Sequence, residues 1–206
     1  PFHPRVFLYL IFFLILIEVL TANKSKPIMS FILGFLSLFS ILWYVDFGVY
    51  TNATLLLAII FLFYYQKYLN ASIIVFSVIV SWSLFLILMP SGEITQFFFQ
   101  FNFLTNISDY LLGLEFPKPF SDGSTRHTKA LLCIIISGIL LINFLLKKNL
   151  LINSKTKITL LFIFISSILL FKSGLMRSDG PHIKYSSGFY MFLIFFFITY
   201  FCHQMI

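Results

Sequence analysis

Residues 71–89 read ASIIVFSVIVSWSLFLILM, an unbroken run without a charged side chain. A transmembrane helix needs about 20 consecutive, mostly apolar residues, because the hydrocarbon core of a bilayer is about 30 Å thick. The run is continuous instead of forming the apolar stripe that a surface helix of a soluble protein would show. It therefore predicts a helix that crosses a membrane.

Similar runs occupy much of the remaining chain, from Val6 to Leu20, from Ile28 to Val45 and from Leu55 to Tyr65. Hydrophobic residues make up 60% of the sequence and charged residues 10%, against about 45–50% and about 25% in typical soluble domains. The 29 phenylalanines would be costly in water and are suited to lipid. Cys133 and Cys202 lie inside apolar runs, so we expect packing residues and no disulfide framework or zinc site.

These runs predict an all-α fold, a polytopic transmembrane helix bundle that forms a single domain over residues 1–206. Its seven predicted spans lie near residues 6–22, 28–45, 53–66, 70–89, 129–146, 158–175 and 188–204. The third of these is short for a span. The chain begins with Pro1 and shows no small-residue cleavage site after the first run, so we expect no signal peptide and consider a fragment or a processed product.

The charges separate between the two predicted faces of the membrane. One face carries seven basic and no acidic residues, namely Lys24, Lys26, Lys67, Lys147, Lys148, Lys155 and Lys157. The other face carries the remaining seven basic residues together with six acidic ones. Because the lysines of the first face lie in short loops, while much of the second set lies in or beside one long loop, the positive-inside rule predicts that the first face is cytoplasmic, which places the N-terminus outside. The net charge of +7 is explained by lysines near anionic lipid head groups, so we predict membrane lipid and no nucleic acid as a partner.

The long connection between predicted spans, residues 90–128, lies on the external face in this topology. In its first half apolar residues recur every three or four positions, which is typical of an amphipathic helix in the membrane interface. Its second half reads FPKPFSDGSTRHTK from residue 116 to residue 129, and its prolines and Asp122-Gly123 predict a loop. Arg126 and His127 in this loop are candidates for binding an anionic ligand, with a solvated turn as the alternative.

Two acidic residues lie in or beside predicted spans. Asp46 in WYVDFGVYTN, residues 43–52, is a functional candidate because an acidic group near membrane depth is costly unless paired or hydrated. A helix-capping or turn role is the alternative. Glu18 is predicted to reach the interface or to pair with Lys24 or Lys26.

The densest group of polar residues is KSGLMRSDGPHIKYSSG, residues 172–188, before the last predicted span. Gly180-Pro181 indicates a turn that folds the flanking side chains toward one another. The guanidinium group of an arginine can form two parallel hydrogen bonds to phosphate or carboxylate, and a lysine adds a second cation. A histidine beside an aspartate can accept a proton. The pattern favours a phosphorylated or polyanionic ligand, and a merely hydrophilic turn is the alternative. The candidate residues here are Lys172, Arg177, Asp179, His182 and Lys184.

The architecture and the two patches, residues 43–52 and 172–188, together resemble polytopic glycosyltransferases of the GT-C type. The resemblance implies transfer of a sugar from a polyprenyl-phosphate carrier on the external face, with a lipid-linked saccharide as partner. It assigns His182 or Asp179 to orient or deprotonate the acceptor, and Asp46 is the alternative candidate for the base. It assigns the phosphate to basic groups, chiefly Arg177 and Lys184, with Lys172, Arg126 and His127 as further candidates.

This sequence departs from the family in one respect, because it lacks the large first external loop with an acidic residue that such enzymes usually carry. An O-antigen polymerase or ligase resembles the chain in similar ways and would use the same residues on a pyrophosphate. A transporter, in which Asp46, Glu18 and Arg177 line a path, is the contrasting class, and a non-catalytic membrane subunit is a third.

The sequence leaves the cofactors unknown. It predicts no metal ligands, although a divalent metal stays open, and the oligomeric state is unknown. Its richness in Phe, Ile, Lys and Asn fits an AT-rich bacterial genome, so we expect the bacterial inner membrane as the location.

Overall fold

The computed structural model describes residues 4–111, 120, 125–146, 153–175 and 187–205. Within these residues the regular structure is entirely α-helical, which confirms the predicted fold class. The helices are α1 (Pro4–Thr21), α2 (Pro27–Trp43), α3 (Val45–Tyr64), α4 (Tyr68–Leu88), α5 (Ser91–Leu111), α6 (Thr125–Leu146), α7 (Ser154–Leu175) and α8 (Gly188–Met205).

The apolar helices identify the chain as an integral membrane protein. Four described segments are long and apolar enough to cross a membrane by length and composition, namely Val45–Tyr64, Tyr68–Leu88, Arg126–Leu146 and Ser154–Phe171. Three apolar segments are shorter, namely Phe7–Thr21, Pro27–Trp43 and Gly188–His203. Each of the seven predicted spans overlaps one of these segments.

Three helices begin four or more residues earlier than the sequence predicts, and one of them, α7, starts at Ser154 and not near residue 158. Helix α3 starts at Val45 and not near residue 53, so it is not a short span. Its early polar residues bond to the preceding turn instead of to water: the Thr51 hydroxyl donates to the Phe47 carbonyl at 2.7 Å. Helix α6 starts at Thr125 and not near residue 129. The predicted helix in the long connection is present as α5.

The helices form two compact units, Pro1–Ser108 and Asp109–Ile206. The single domain over residues 1–206 stays a prediction. In the first unit α2 packs against α1, α3 and α4.

Glycines allow two of these contacts in the first unit to be very close. A Cβ atom on Gly34 of α2 would lie 2.5 Å from the Ile74 carbonyl oxygen and 2.6 Å from the Ser77 Cβ of α4. A Cβ atom on Gly48 of α3 would lie 2.5 Å from the Ile41 Cα of α2. Small residues at such crossings let helix backbones approach within a membrane, where van der Waals packing drives association.

Hydrogen bonds between polar side chains join the same helices. Asn52 of α3 accepts a hydrogen bond from the Ser37 hydroxyl of α2, and its amide donates to the Ser37 carbonyl at 3.0 Å and to the Gly48 carbonyl at 2.8 Å. The Ser77 hydroxyl of α4 donates to the Phe31 carbonyl of α2 at 2.6 Å. Polar groups in hydrocarbon must be satisfied internally. These bonds therefore hold α2, α3 and α4 together.

Lysines tie together one end of the first unit. The Lys67 ammonium donates to the carbonyls of Leu20 and Ala22, at 2.6 Å and 2.9 Å, at the C-terminal end of α1. A cation is favourable there because helix C-termini carry unsatisfied carbonyls and partial negative charge. The Lys26 ammonium lies 3.2 Å from the Glu18 carboxylate. The predicted pairing of Glu18 is therefore confirmed, with Lys26 as its partner.

In the second unit α6, α7 and α8 pack against one another. Near one end, Ala130, Ile134, Phe171 and Tyr190 form a buried apolar cluster. Toward the other end, the Phe144 ring of α6 is buried against Phe197 and Tyr200 of α8, with ring centroids 5.5 Å and 5.2 Å apart. The three-helix unit is thus packed along its length.

Candidate functional site

The candidate site lies at one end of the second unit, where three helix ends meet. Ala130 near the start of α6, Phe171 near the end of α7 and Tyr190 in the first turn of α8 belong to one buried cluster. The connection between α7 and α8 therefore leaves and rejoins the helices at this end. Its predicted site residues, Arg177, Asp179, His182 and Lys184, lie outside the described residues.

His127 is the unusual residue of this helix junction. It is the third residue of α6 and only 3% exposed. Its spacing from Ala130 and Ile134 places it on the helix face that carries the buried cluster. Its Nε2 atom is buried and has no hydrogen-bond partner among the described residues. A buried polar atom left in this state costs about 1–3 kcal/mol.

This placement corrects the prediction that Arg126 and His127 lie in a loop. Both residues are in the first turn of α6, Arg126 exposed and His127 buried. The helix forms here because Pro117 and Pro119 lie before residue 125, and Thr125–Leu146 contains no proline. His127 is therefore not part of a solvated turn.

The start of α6 is electropositive. Arg126 and Lys129 are both exposed there, and the first turn of the helix has no acidic residue. The N-terminal end of a helix adds partial positive charge and backbone N–H donors. The backbone N–H of Phe120 donates to the Thr128 hydroxyl at 2.9 Å, which holds Phe120 beside this first turn. The arrangement suits an anion.

The other predicted residues lie in different places. Lys172 is near the C-terminal end of α7, and its side chain lies outside the described part of the chain. Asp46 belongs to the first unit, where it is half-buried in the first turn of α3. An acidic residue in a first turn interacts favourably with the helix dipole. The N-cap of α3 is Tyr44 and not Asp46.

Sequence reasoning missed one residue at the helix junction, Tyr190. Tyr190 is 2% exposed and its side chain shares a hydrogen bond with that of Ser187. A signal was available, since Tyr190 comes directly after the polar segment and begins the last apolar run. Cys133, predicted to be a packing residue, does pack against the cluster that contains Tyr190.

Among the described residues no group of three or more His, Cys, Asp and Glu side chains could hold a metal ion. No protein-family model, curated protein or solved structure matches the chain.

Proposed function

We propose that this chain is an integral membrane glycosyltransferase that moves a sugar from a polyprenyl-phosphate carrier on the external face of the bacterial inner membrane. One observation carries the proposal: a buried histidine, with Nε2 unpartnered among the described residues, lies beside exposed Arg126 and Lys129 at the helix junction of the second unit. The segment with Arg177, Asp179, His182 and Lys184 is attached to this same junction by chain connectivity.

The reaction places two demands on such a site. An acceptor hydroxyl oxygen forms a bond to the anomeric carbon, the bond from that carbon to the carrier phosphate oxygen breaks, and the phosphate leaves with the electron pair. The hydroxyl proton passes to a base, for which His182 or Asp179 is the candidate. Cations stabilise the charge that develops on the leaving phosphate, the role assigned to Arg177 and Lys184.

The surroundings fit a lipid-linked donor. Apolar helices of membrane-spanning length keep the isoprenoid tail in hydrocarbon, while the anionic head meets basic groups at a helix end.

The polar side chains of the first unit bear on the transporter alternative. Asn52, Ser37 and Ser77 are engaged in hydrogen bonds between α2, α3 and α4. Groups committed to one another join helices and are poorly placed to coordinate a passing solute. This observation favours the transferase over a path through the first unit.

The test is turnover of a panel of polyprenyl-phosphate and polyprenyl-pyrophosphate sugars by the purified chain in lipid nanodiscs, measured as release of the carrier. We expect Arg177→Ala to lower turnover by about 10²- to 10³-fold, the usual effect of removing one transition-state contact. Lys155→Ala, at an exposed position in the first turn of α7, is the matched control and should behave as wild type.

Preference for the pyrophosphate donors would assign the chain to the polymerase or ligase alternative. Absence of turnover by wild type over the whole panel, together with solute flux in proteoliposomes, would contradict the transferase proposal and favour a transporter.

A further inference from the structure

We infer that the first turn of α6 is a phosphate subsite in which His127 Nε2 is the buried hydrogen-bond donor and Arg126 the exposed cation. The inference deepens the proposed function and rests on it for the identity of the ligand, a lipid-linked phosphate. It adds a subsite on α6 to the cations proposed in the connection between α7 and α8.

The charge of the first turn of α6 favours an anionic ligand. The turn combines the N-terminal end of a 22-residue helix with the exposed side chains of Arg126 and Lys129, and it contains no acidic residue. The helix dipole and the backbone N–H donors of a helix N-terminus favour an anion at such a position. A phosphate ester fits because it is anionic and offers several acceptor oxygens to a guanidinium fork and to an imidazole N–H.

The burial of His127 also indicates a ligand. His127 is 3% exposed, and its Nε2 has no partner among the described residues. Buried polar side-chain atoms in folded proteins are nearly always hydrogen-bonded, so such an atom calls for an explanation. A bound phosphate oxygen would accept the missing hydrogen bond, and Arg126 would stay at the exposed rim.

A ligand-binding role and a structural role of His127 predict different effects of a leucine substitution. If His127 served the fold, replacing it with leucine would remove a needed hydrogen bond and lower stability. If its partner is a ligand, leucine removes an unmet donor from the free protein and leaves stability unchanged or higher, while binding is lost. Functional groups that burden stability in the unbound state are a common feature of binding sites.

The experiment uses the full chain in phosphatidylcholine nanodiscs and measures the affinity for a short-chain polyprenyl phosphate. The variants are His127→Leu, His127→Gln and Arg126→Ala, each also followed by thermal unfolding without ligand. His203→Leu is the matched histidine control, because His203 is exposed near the end of α8.

We expect His127→Leu to weaken binding by about 10- to 100-fold, the effect of one hydrogen bond to a charged group, without lowering the unfolding temperature. His127→Gln should retain most of the affinity, since an amide N–H can replace Nε2–H. Wild-type affinity in His127→Leu would overturn the inference. So would a fall in the unfolding temperature of the ligand-free His127→Leu protein, because that result shows a structural partner.

A second arm replaces the polyprenyl phosphate with phosphatidic acid. Binding of phosphatidic acid alone that depends on His127 would uphold the phosphate subsite and remove the proposed donor, so the proposed function would fall while the subsite stands. Binding of polyprenyl phosphate that does not depend on His127 would have the reverse meaning. The two proposals therefore fail separately.

Discussion

Replacing Gly34 with alanine tests how closely α2 and α4 pack. The new Cβ atom would lie 2.5 Å from the Ile74 carbonyl oxygen, 2.6 Å from the Ser77 Cβ and 2.9 Å from the Ser77 Oγ. The nearest of these atoms belongs to the backbone and cannot rotate away. Contacts of about 3.4 Å are ordinary, so the helices must separate by roughly 1 Å at this crossing.

Three contributions set the expected change in the free energy of unfolding. Overpacking of this kind typically costs about 1–3 kcal/mol. Separation of the helices also stretches the 2.6 Å hydrogen bond from Ser77 to the Phe31 carbonyl, and interhelical bonds in membranes contribute about 0.6 kcal/mol each. The higher helix propensity of alanine relative to glycine offsets about 0.5–1 kcal/mol of this loss. The sum is a loss of about 0.6–3 kcal/mol.

The assay is unfolding in mixed micelles followed by tryptophan fluorescence. Trp43 ends α2 and Trp82 lies in α4, so both report on the helices concerned. Gly92→Ala is the matched control, because nothing lies within 4 Å of a Cβ at that position of α5, and propensity alone should then make it neutral or slightly stabilising. Stability of Gly34→Ala equal to or above wild type would refute the close packing of α2 and α4.

Three further predictions concern the first unit and the topology. Asn52→Leu should lower the free energy of unfolding by about 1–2 kcal/mol in the same assay, since it removes the bonds to Ser37; an unchanged value would show that these bonds contribute nothing. Lys67→Met should lower the free energy of unfolding by about 1–2 kcal/mol, because the α1 carbonyls lose their charged donor. Lys24→Met, at an exposed position, should change it by no more than about 0.5 kcal/mol. Equal effects of the two substitutions would contradict the capping of α1 by Lys67. In a background with both native cysteines replaced by serine, single cysteines at Lys24 and Glu93 should react with a membrane-impermeant maleimide from opposite faces, cytoplasmic and external respectively, and labelling from the same face would overturn the predicted topology.

The helices were predictable because lipid sets a length that apolar runs must match. The start of α3 was not, since Thr51 and Asn52 look like loop residues until their hydrogen-bond partners are known. Thr51 bonds within its own helix, but Asn52 bonds to Ser37, which is fifteen positions away in sequence. Partners of that kind are a property of the packed helices and have no local signal.

In the candidate site, too, the residue types could be read from the sequence, but their packing could not. The residue types at Arg126 and His127 indicated binding of an anion, and that hypothesis stays a prediction. The burial of His127 could not be predicted, because it depends on how α6 packs with α7 and α8. Sequence alone also could not show that Tyr190 is buried in the same junction as Ala130.

Helices α2 and α3 are joined by a single extended residue, Tyr44, whose N–H donates to the Ser40 carbonyl while its own carbonyl accepts from Gly48. Such a joint has no slack. Because one residue connects the two helices, we expect α2 and α3 to enter the bilayer together as a helical hairpin during synthesis. Asn52 and Ser37 then reach hydrocarbon already opposite one another, and neither polar side chain has to meet lipid alone.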